Sequence, residues 1–277
     1  MERQSQTKRN DAARRNEQRR KRKALPMLFI TLGIIGLAVC IGMYVSRQNV
    51  YEEAAGEYRE LYEEHISAHP DPVQQANEAS GSAIKGLDAP AFRVDIVALR
   101  SLNADCIGWI EIPKTAISYP VLRGEDNAYY VNHTFQKSEN KAGAIFMDYR
   151  CKADFGDAHT ILYGHNMKDG SMFALLDQYQ DTAFLEDHQE FYIHQEGRIL
   201  VYRVISAKRT DQSDMLYSLT AKNGEEEEIR KRLSVLFEVP DQEDAFYLTL
   251  STCADLQNRD ARDIVIAILT DIMTENE

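Results

Sequence analysis

Three short segments carry side chains whose types and spacing suit chemistry by a thiol nucleophile. Phe246–Cys253, FYLTLSTC, is a run of β-branched and aromatic residues ending in a cysteine. A nucleophile at a strand end is held rigidly and still faces a groove. A thiol is weakly ionised near neutral pH, so Cys253 needs a proton acceptor or a nearby cation. His159–Met172, HTILYGHNMKDGSM, reads as strand, turn and helix start, with His165 just past the strand end. Asp260–Leu269, DARDIVIAIL, puts Arg262 directly before the last long strand and a short loop after Cys253. A guanidinium at the same rim as the thiol could hold an oxyanion or a substrate carbonyl. Each residue also has a bland reading: a small buried hydrophobe for Cys253, a structural histidine for His165. His159 and His133 are weaker candidates than His165, and Arg259, in mid-loop, is the rival of Arg262.

The elements that must position these groups are mostly short strands. From Cys106 onward the runs CIGWIEI, SYPVL, AIFMDY, HTILYG, EFYIH, GRILVYRVIS, DAFYLTLS and DIVIAIL alternate with turn signals such as PKT, RGEDN and QEG. About eight strands at this spacing predict a closed barrel or a sandwich. EFYIHQEGRIL reads as a tight hairpin. Residues 211–237 interrupt the strands with a helical texture. There Glu226, Ile229, Leu233, Leu236 and Phe237 form one face, and a glutamate run precedes Arg230 and Arg232 as the helix dipole favours. Ahead of the strands, residues 47–69 have apolar positions at helical spacing, and residues 92–102 read as a short amphipathic helix. Residues 70–90, rich in Pro, Ser, Gly and Ala, read as a linker. His65 and His69 lie four apart, but with no third ligand nearby they read as a solvated helix end.

Charge is unevenly distributed. The 277 residues carry a formal charge of -12, yet residues 1–25 hold ten Lys/Arg against three acidic residues, a net of +7. The remainder, with 22 Lys/Arg and 41 Asp/Glu, is at -19, which argues against nucleic acid as a partner of the main body. Residues 25–45, LPMLFITLGIIGLAVCIGMYV, contain no charged residue. As a helix they would rise roughly 32 Å, enough for a bilayer core of about 30 Å. Positive charge ahead of them places the N-terminus in the cytoplasm. The sequence therefore predicts a basic cytoplasmic segment at 1–24, a single transmembrane anchor at 25–45, a helix and linker at 46–90, and a catalytic domain at 91–277 outside the cell membrane. Of the four cysteines, Cys40 falls in the anchor. The odd number left, Cys106, Cys151 and Cys253, implies at least one thiol that is free or paired between molecules.

Four segments together resemble the sortase family of cysteine transpeptidases. They are TLSTC at 249–253 with an arginine shortly after, YGHNM at 163–167, NADCIGWIEIPKTAISYPVLRGEDNAYYVNHTF at 103–135, and GAIFMDYR at 143–150. The resemblance runs from about residue 95 to 272, and HNMKDGSMF, the N-terminal helices and the insertion at 211–237 are similar to class B members. It implies a mostly β fold: an eight-stranded barrel with N-terminal helices and a helical insertion before the nucleophile strand. It implies that Cys253 attacks the carbonyl after the threonine of an LPxTG- or NPxTN-like sorting signal, forming a thioester. His165 would serve as acid and then base, and Arg262 would hold the carbonyl or oxyanion. Ser251 and Thr252, beside the nucleophile, and Tyr217, in the insertion, are candidate substrate-binding residues. An ordinary strand serine and a packing tyrosine are their alternatives. The expected partners are surface proteins bearing the signal, a peptidoglycan precursor or other amine acceptor, and the lipid bilayer. No calcium loop is seen, so no metal and no cofactor are expected. A hydrolytic cysteine endopeptidase, a pilin-polymerising enzyme and a non-enzymatic binding module are the competing readings. Cys106 and Cys151 take no role from the resemblance.

Overall fold

The computed structural model describes residues 32–44, 50–68, 92–219, 225–240, 244–253 and 260–274. Contacts divide the chain into two units, residues 1–50 and 51–277. In the first, residues 32–44 form a helix, α1. Here the sequence expectation of a transmembrane anchor at 25–45, and with it the membrane localisation, is corrected. Among the described residues no helix is long and apolar enough to cross a membrane. At about 1.5 Å per residue α1 rises roughly 20 Å, short of a hydrocarbon core of about 30 Å. Residues 1–31, and the expected linker at 70–90, lie outside the described residues.

The second unit is an eight-stranded closed barrel with helices at its edges. A helix over residues 50–65, α2, runs into strand β1, Ile66–Ala68, which pairs with β2, Phe92–Val94. Ala54, Tyr58 and Leu61 of α2 are buried, and the Tyr58 hydroxyl donates to the Gly143 carbonyl at 2.7 Å. The expected helix over 92–102 is in fact β2 followed by α3, Ile96–Leu102. Asp95 separates them: its side chain accepts from the Ala98 N–H at 2.8 Å as an N-cap, and its own N–H donates to His65 O. Phe92–Val94 is extended because its partner lies some 25 residues away, a pairing no local periodicity reports.

The barrel strands are β3 Cys106–Glu111, β4 Ser118–Leu122, β5 Ile145–Met147, β6 His159–Tyr163, β7 Glu190–Gln195, β8 Arg198–Asp211, β9 Tyr247–Cys253 and β10 Ala261–Thr274. They close in the order β10-β8-β7-β3-β4-β5-β6-β9. All eight coincide with runs read from the sequence, and β7–β8 is the expected hairpin, with Gly197 at φ 74° in its turn. Strands β8 and β10 are longer than their apolar runs because they pair along nearly their whole length, from Ala261–Asp211 to Thr274–Arg198.

Alternation along β9 and β10 divides their side chains between two cores. Leu248, Leu250, Val265 and Ala267 fill the barrel. Tyr247, Ile264 and Ile266 point the other way and are covered by the insertion. That insertion, which comes after a short helix α4, Thr182–Asp187, ahead of β7, consists of a 3-10 turn, Met215–Ser218, and a helix α5, Glu226–Phe237, while residues 220–224 lie outside the described residues. Ile229 and Leu233 of the expected apolar face are buried, whereas Leu236 is 40% exposed.

His159 ties the cover down. It is fully buried on β6, where Thr249 Oγ1 of β9 lies 2.8 Å from Nε2 and the Leu219 carbonyl 3.3 Å from Nδ1. A carbonyl only accepts, so Nδ1 carries the proton and Nε2 accepts from the threonine hydroxyl. Burial pushes the imidazole down to about 4, against the weaker pull of the Leu219 carbonyl and Asp148 in the other direction. The unfolded chain protonates this group near pH 6.5, so stability is intact above that pH and falls on acidification until the folded state protonates near 4. From this histidine alone the loss is about 3 kcal/mol. Urea unfolding of the wild type at pH 7 and pH 4 should show that decrement over and above the decrement in His159→Gln. Equal pH dependence in the two proteins would refute the assignment.

Candidate active site

Three chain segments meet at one end of the barrel. Strands β6 and β9 are parallel neighbours, with Tyr163 paired to Ser251, and the ladder ends with the Gly164 N–H donating to the Ser251 carbonyl at 3.1 Å. His165 follows that rung by one residue on one side and Cys253 by two on the other. Strands β9 and β10 are antiparallel, and their last pair is Cys253 with Arg262. Directly opposed residues of such a pair lie about 4.5–5.5 Å apart at Cα. The backbone register alone therefore gathers the three positions at one rim.

Gly164 makes the turn out of β6 possible. A Cβ there would lie 2.5 Å from Ile145 Cδ1 and 2.8 Å from the buried Phe173 ring. The chain passes this close to the core, then returns through Met167–Gly170 so that the Phe173 N–H donates to the His165 carbonyl at 2.9 Å. The His165 ring is held from the other side, with Nε2 on the Val131 carbonyl. Since the carbonyl only accepts, Nε2 is the protonated nitrogen and Nδ1 carries the lone pair.

A groove of about 470 Å³ opens at this rim. Asn127, Val131, Phe146, Tyr163, Gly164, His165, Gln212, Tyr217, Ser251, Thr252 and Arg262 line it. Tyr217 and Ser251 share a hydrogen bond of 2.8 Å between hydroxyls. The Tyr163 and Tyr217 rings lie nearly parallel, with centroids 6.5 Å apart. Thr252 is buried, and its hydroxyl has no hydrogen-bond partner among the described residues. Arg262 Nη1 donates to the Ala261 carbonyl at 2.8 Å. The groove thus combines aromatic walls, hydroxyls and one guanidinium, a lining suited to an extended polar backbone.

Of the residues singled out in the sequence, His165, Arg262, Ser251, Thr252 and Tyr217 border one groove, and the backbone of Cys253 ends the strand at its edge. Arg259 lies outside the described residues. His159 is buried in the fold, and His133 stacks on Tyr129 with its Nδ1 on the Tyr129 carbonyl. Cys106 and Cys151 are free and buried, and burial pushes their thiols up to about 11 and about 12. His65 ends α2, and His69 lies outside the described residues. Sequence reasoning missed Asn127, Val131, Tyr163 and Gln212 as lining residues. Asn127 closes the RGEDN turn signal, and Tyr163 lies within YGHNM as the last residue of β6, two positions before His165.

With this geometry in view, the comparisons with known proteins are consistent with one another. The sortase domain family matches residues 110–270, more than half of the chain. Sortase B of Listeria monocytogenes is 48% identical over 99 residues, covering 36% of this chain and 40% of that protein. Sortase B of Staphylococcus aureus is 30% identical over 179 residues, covering 63% of this chain and 73% of that protein. Among solved structures, sortase B of Clostridium perfringens superposes with a TM-score of 0.56 at 28% identity, covering 63% of this chain and 99% of that one.

The tight turn at Gly164 is directly testable. Gly164→Ala forces a methyl against Ile145 and Phe173 and should cost about 1–3 kcal/mol in thermal or urea unfolding. An unchanged unfolding midpoint would mean that the turn tolerates a side chain and does not fix the approach to His165.

Proposed function

The chain belongs to the sortase family, and from that membership we propose that it is a class B-type cysteine transpeptidase acting on a C-terminal sorting signal. The single observation that carries the reading is the last rung of the β9–β10 ladder, which pairs Cys253 with Arg262 beside the end of the strand that leads into His165. The catalytic domain is taken as residues 91–277.

In this reading the Cys253 thiolate attacks the carbonyl carbon that follows the signal's threonine, forming a C–S bond and a tetrahedral oxyanion. The Arg262 guanidinium binds that oxygen, which carries more charge in the transition state than in the bound peptide. Collapse breaks the C–N bond, and protonated His165 gives its proton to the departing amine. The product is a thioester between Cys253 and the cleaved protein. An amine of a cell-wall precursor then enters, loses a proton to His165 and attacks the thioester, so that an amide forms and the thiolate leaves. The Val131 carbonyl supports this role for His165 by holding Nε2–H and leaving Nδ1 for proton transfer. Ser251, Thr252 and Tyr217 contribute to the binding surface for the threonine end of the signal.

Incubation of the full chain with a library of LPxTG- and NPxTN-like peptides plus triglycine should yield peptide cleaved after threonine and joined to the added amine. Release of free acid alone would favour an endopeptidase, and preferential joining to a lysine side chain would favour pilin polymerisation. Cys253→Ala should abolish both cleavage and transfer. Arg262→Lys keeps the charge but loses the planar fork, and kcat/KM should fall roughly 10- to 100-fold. The rate should trace a bell against pH, reporting the thiol and imidazole together. Mass spectrometry without any acyl-enzyme or joined product across the library would sink the proposal.

A further inference from the structure

One charged group behind the groove is used by no step above. Asp148, directly after β5, is fully buried. Its Oδ2 accepts from Asn127 Nδ2 at 2.9 Å, from the Tyr163 hydroxyl at 3.0 Å and from Arg150 Nη2 at 2.7 Å. Its Oδ1 accepts from Arg150 Nε at 2.8 Å and from the Arg150 backbone N–H at 3.0 Å. Arg150 Nη2 also donates to the Tyr217 carbonyl at 3.2 Å. Every one of these bonds ends on the groove wall or on the arginine that reaches it.

Stability alone is a poor reason for this carboxylate. A buried ion pair is often no better than well-packed apolar residues, because desolvation offsets its attraction. Its geometric effect is specific. Asn127 is fixed at both ends of its amide, since the Tyr149 N–H donates to Oδ1 at 3.0 Å while Nδ2 faces Asp148. That removes the amide flip and sets which edge faces the groove. The Tyr163 hydroxyl must spend its proton on the carboxylate, so its ring, packed against Phe146 at 5.4 Å between centroids, has one seated orientation. Arg150 binds the carboxylate in a planar fork and so carries the same constraint to the Tyr217 turn, whose hydroxyl meets Ser251. Burial tends to raise the Asp148 carboxyl, but the Arg150 guanidinium and the other donors outweigh it and hold it below the usual carboxylate range. It therefore stays an acceptor for all its donors at neutral pH.

We propose that Asp148, acting with Arg150, is the positioning residue of the donor-peptide groove, presetting Asn127, Tyr163 and Tyr217 so that the sorting signal binds a wall already in its bound shape. The inference rests on the transpeptidase reading and deepens it. A preset wall spares the peptide the ordering of rotamer-rich side chains on binding. The consequence is a defect in donor recognition with the thiol chemistry spared.

The test uses the full chain with the best peptide from the library assay. Asp148→Asn keeps the size but puts an N–H₂ where donors already point. Its kcat/KM for the peptide should fall roughly 10- to 100-fold, mostly through KM. Alkylation of Cys253 by iodoacetamide, read by mass spectrometry at that residue, should stay within about twofold of wild type, because the reagent needs no groove wall. Arg150→Lys should give a smaller loss of the same kind. If Asp148→Asn fails to fold, Tyr163→Phe decides: it removes one hydroxyl, should raise KM, and should combine with Arg150→Lys less than additively. Wild-type kcat/KM in these variants, with the wild type itself active, overturns the inference alone. Parallel loss of peptide turnover and of Cys253 alkylation also overturns it, since that marks a merely structural role. A wild type that forms no acyl-enzyme at all brings down the functional reading, and this inference with it.

Discussion

Parallel pairing of β6 with β9 is the constraint on which the rest of the molecule depends. Two parallel neighbours cannot be joined by a tight turn; they need a long crossover. Here the chain leaves β6 at Tyr163 and returns at Tyr247, and within that interval it builds β7, β8, the 3-10 turn and α5. Because both strands run the same way, both end at the same rim, with their side-chain faces in register. Antiparallel β10 then begins where β9 ends, so Arg262 needs only a short connection to stand opposite Cys253. A single strand pairing thus converts residues nearly ninety positions apart in sequence into neighbours. The same pairing explains why His165 can occupy a loop and still be fixed: the rung from Gly164 to Ser251 precedes it, and the carbonyl of Val131 closes it from the far side.

The outer face of β6 and β9 is the second half of the design. In a small closed barrel the inside is filled and the outside is usually wet. On these strands the outside is covered by the insertion, so polar groups on that face are buried and need partners. His159 meets Thr249 and the Leu219 carbonyl; Tyr163 meets Asp148; Ser251 meets Tyr217. These pairs step along the strands toward the open rim, from a fully buried histidine at one end to the groove at the other. The cover that buries the face also supplies one wall of the groove, through Tyr217. One element therefore both buries this face and forms a wall of the groove.

Much of this was legible in the sequence, for identifiable reasons. The eight strands announced themselves because each presents apolar residues to at least one buried face, and Gly, Pro and Asn punctuate them. The approach of Arg262 to Cys253 was legible because a short loop between adjacent strands leaves little freedom. His165 was legible from a glycine at a strand end. What stayed hidden depends on partners distant in sequence. Phe92–Val94 is a strand only because Ile66–Ala68 pairs with it. The role of Asp148 depends on donors at 127, 150 and 163 converging on one carboxylate, and no spacing rule encodes that. The hold of Val131 on His165 is a backbone contact and leaves no trace in side-chain identity. At the N-terminal end, hydropathy over 25–45 predicted a spanning helix, and the described helix covers only 32–44.

The thiol inventory shows how burial sorts chemically identical groups. Cys106 sits on β3 with no exposure, and Cys151 is 1% exposed. Each thiol donates to a carbonyl, that of Gly108 for one and of His159 for the other, and burial outweighs the backbone hydrogen bonds and arginine charges that favour the thiolate. With its pKa at about 11, Cys106 has a thiolate fraction on the order of one in ten thousand at pH 7. Cys151, at about 12, has less. Both are sealed in a core that admits no peptide, so neither can serve as an acyl carrier at neutral pH. The position at the end of β9 differs in the two respects that matter: it ends the strand at an open groove, and its cross-strand neighbour is a permanent cation. The fold therefore buries two cysteines in its core and sets the third at a strand end, in register with Arg262.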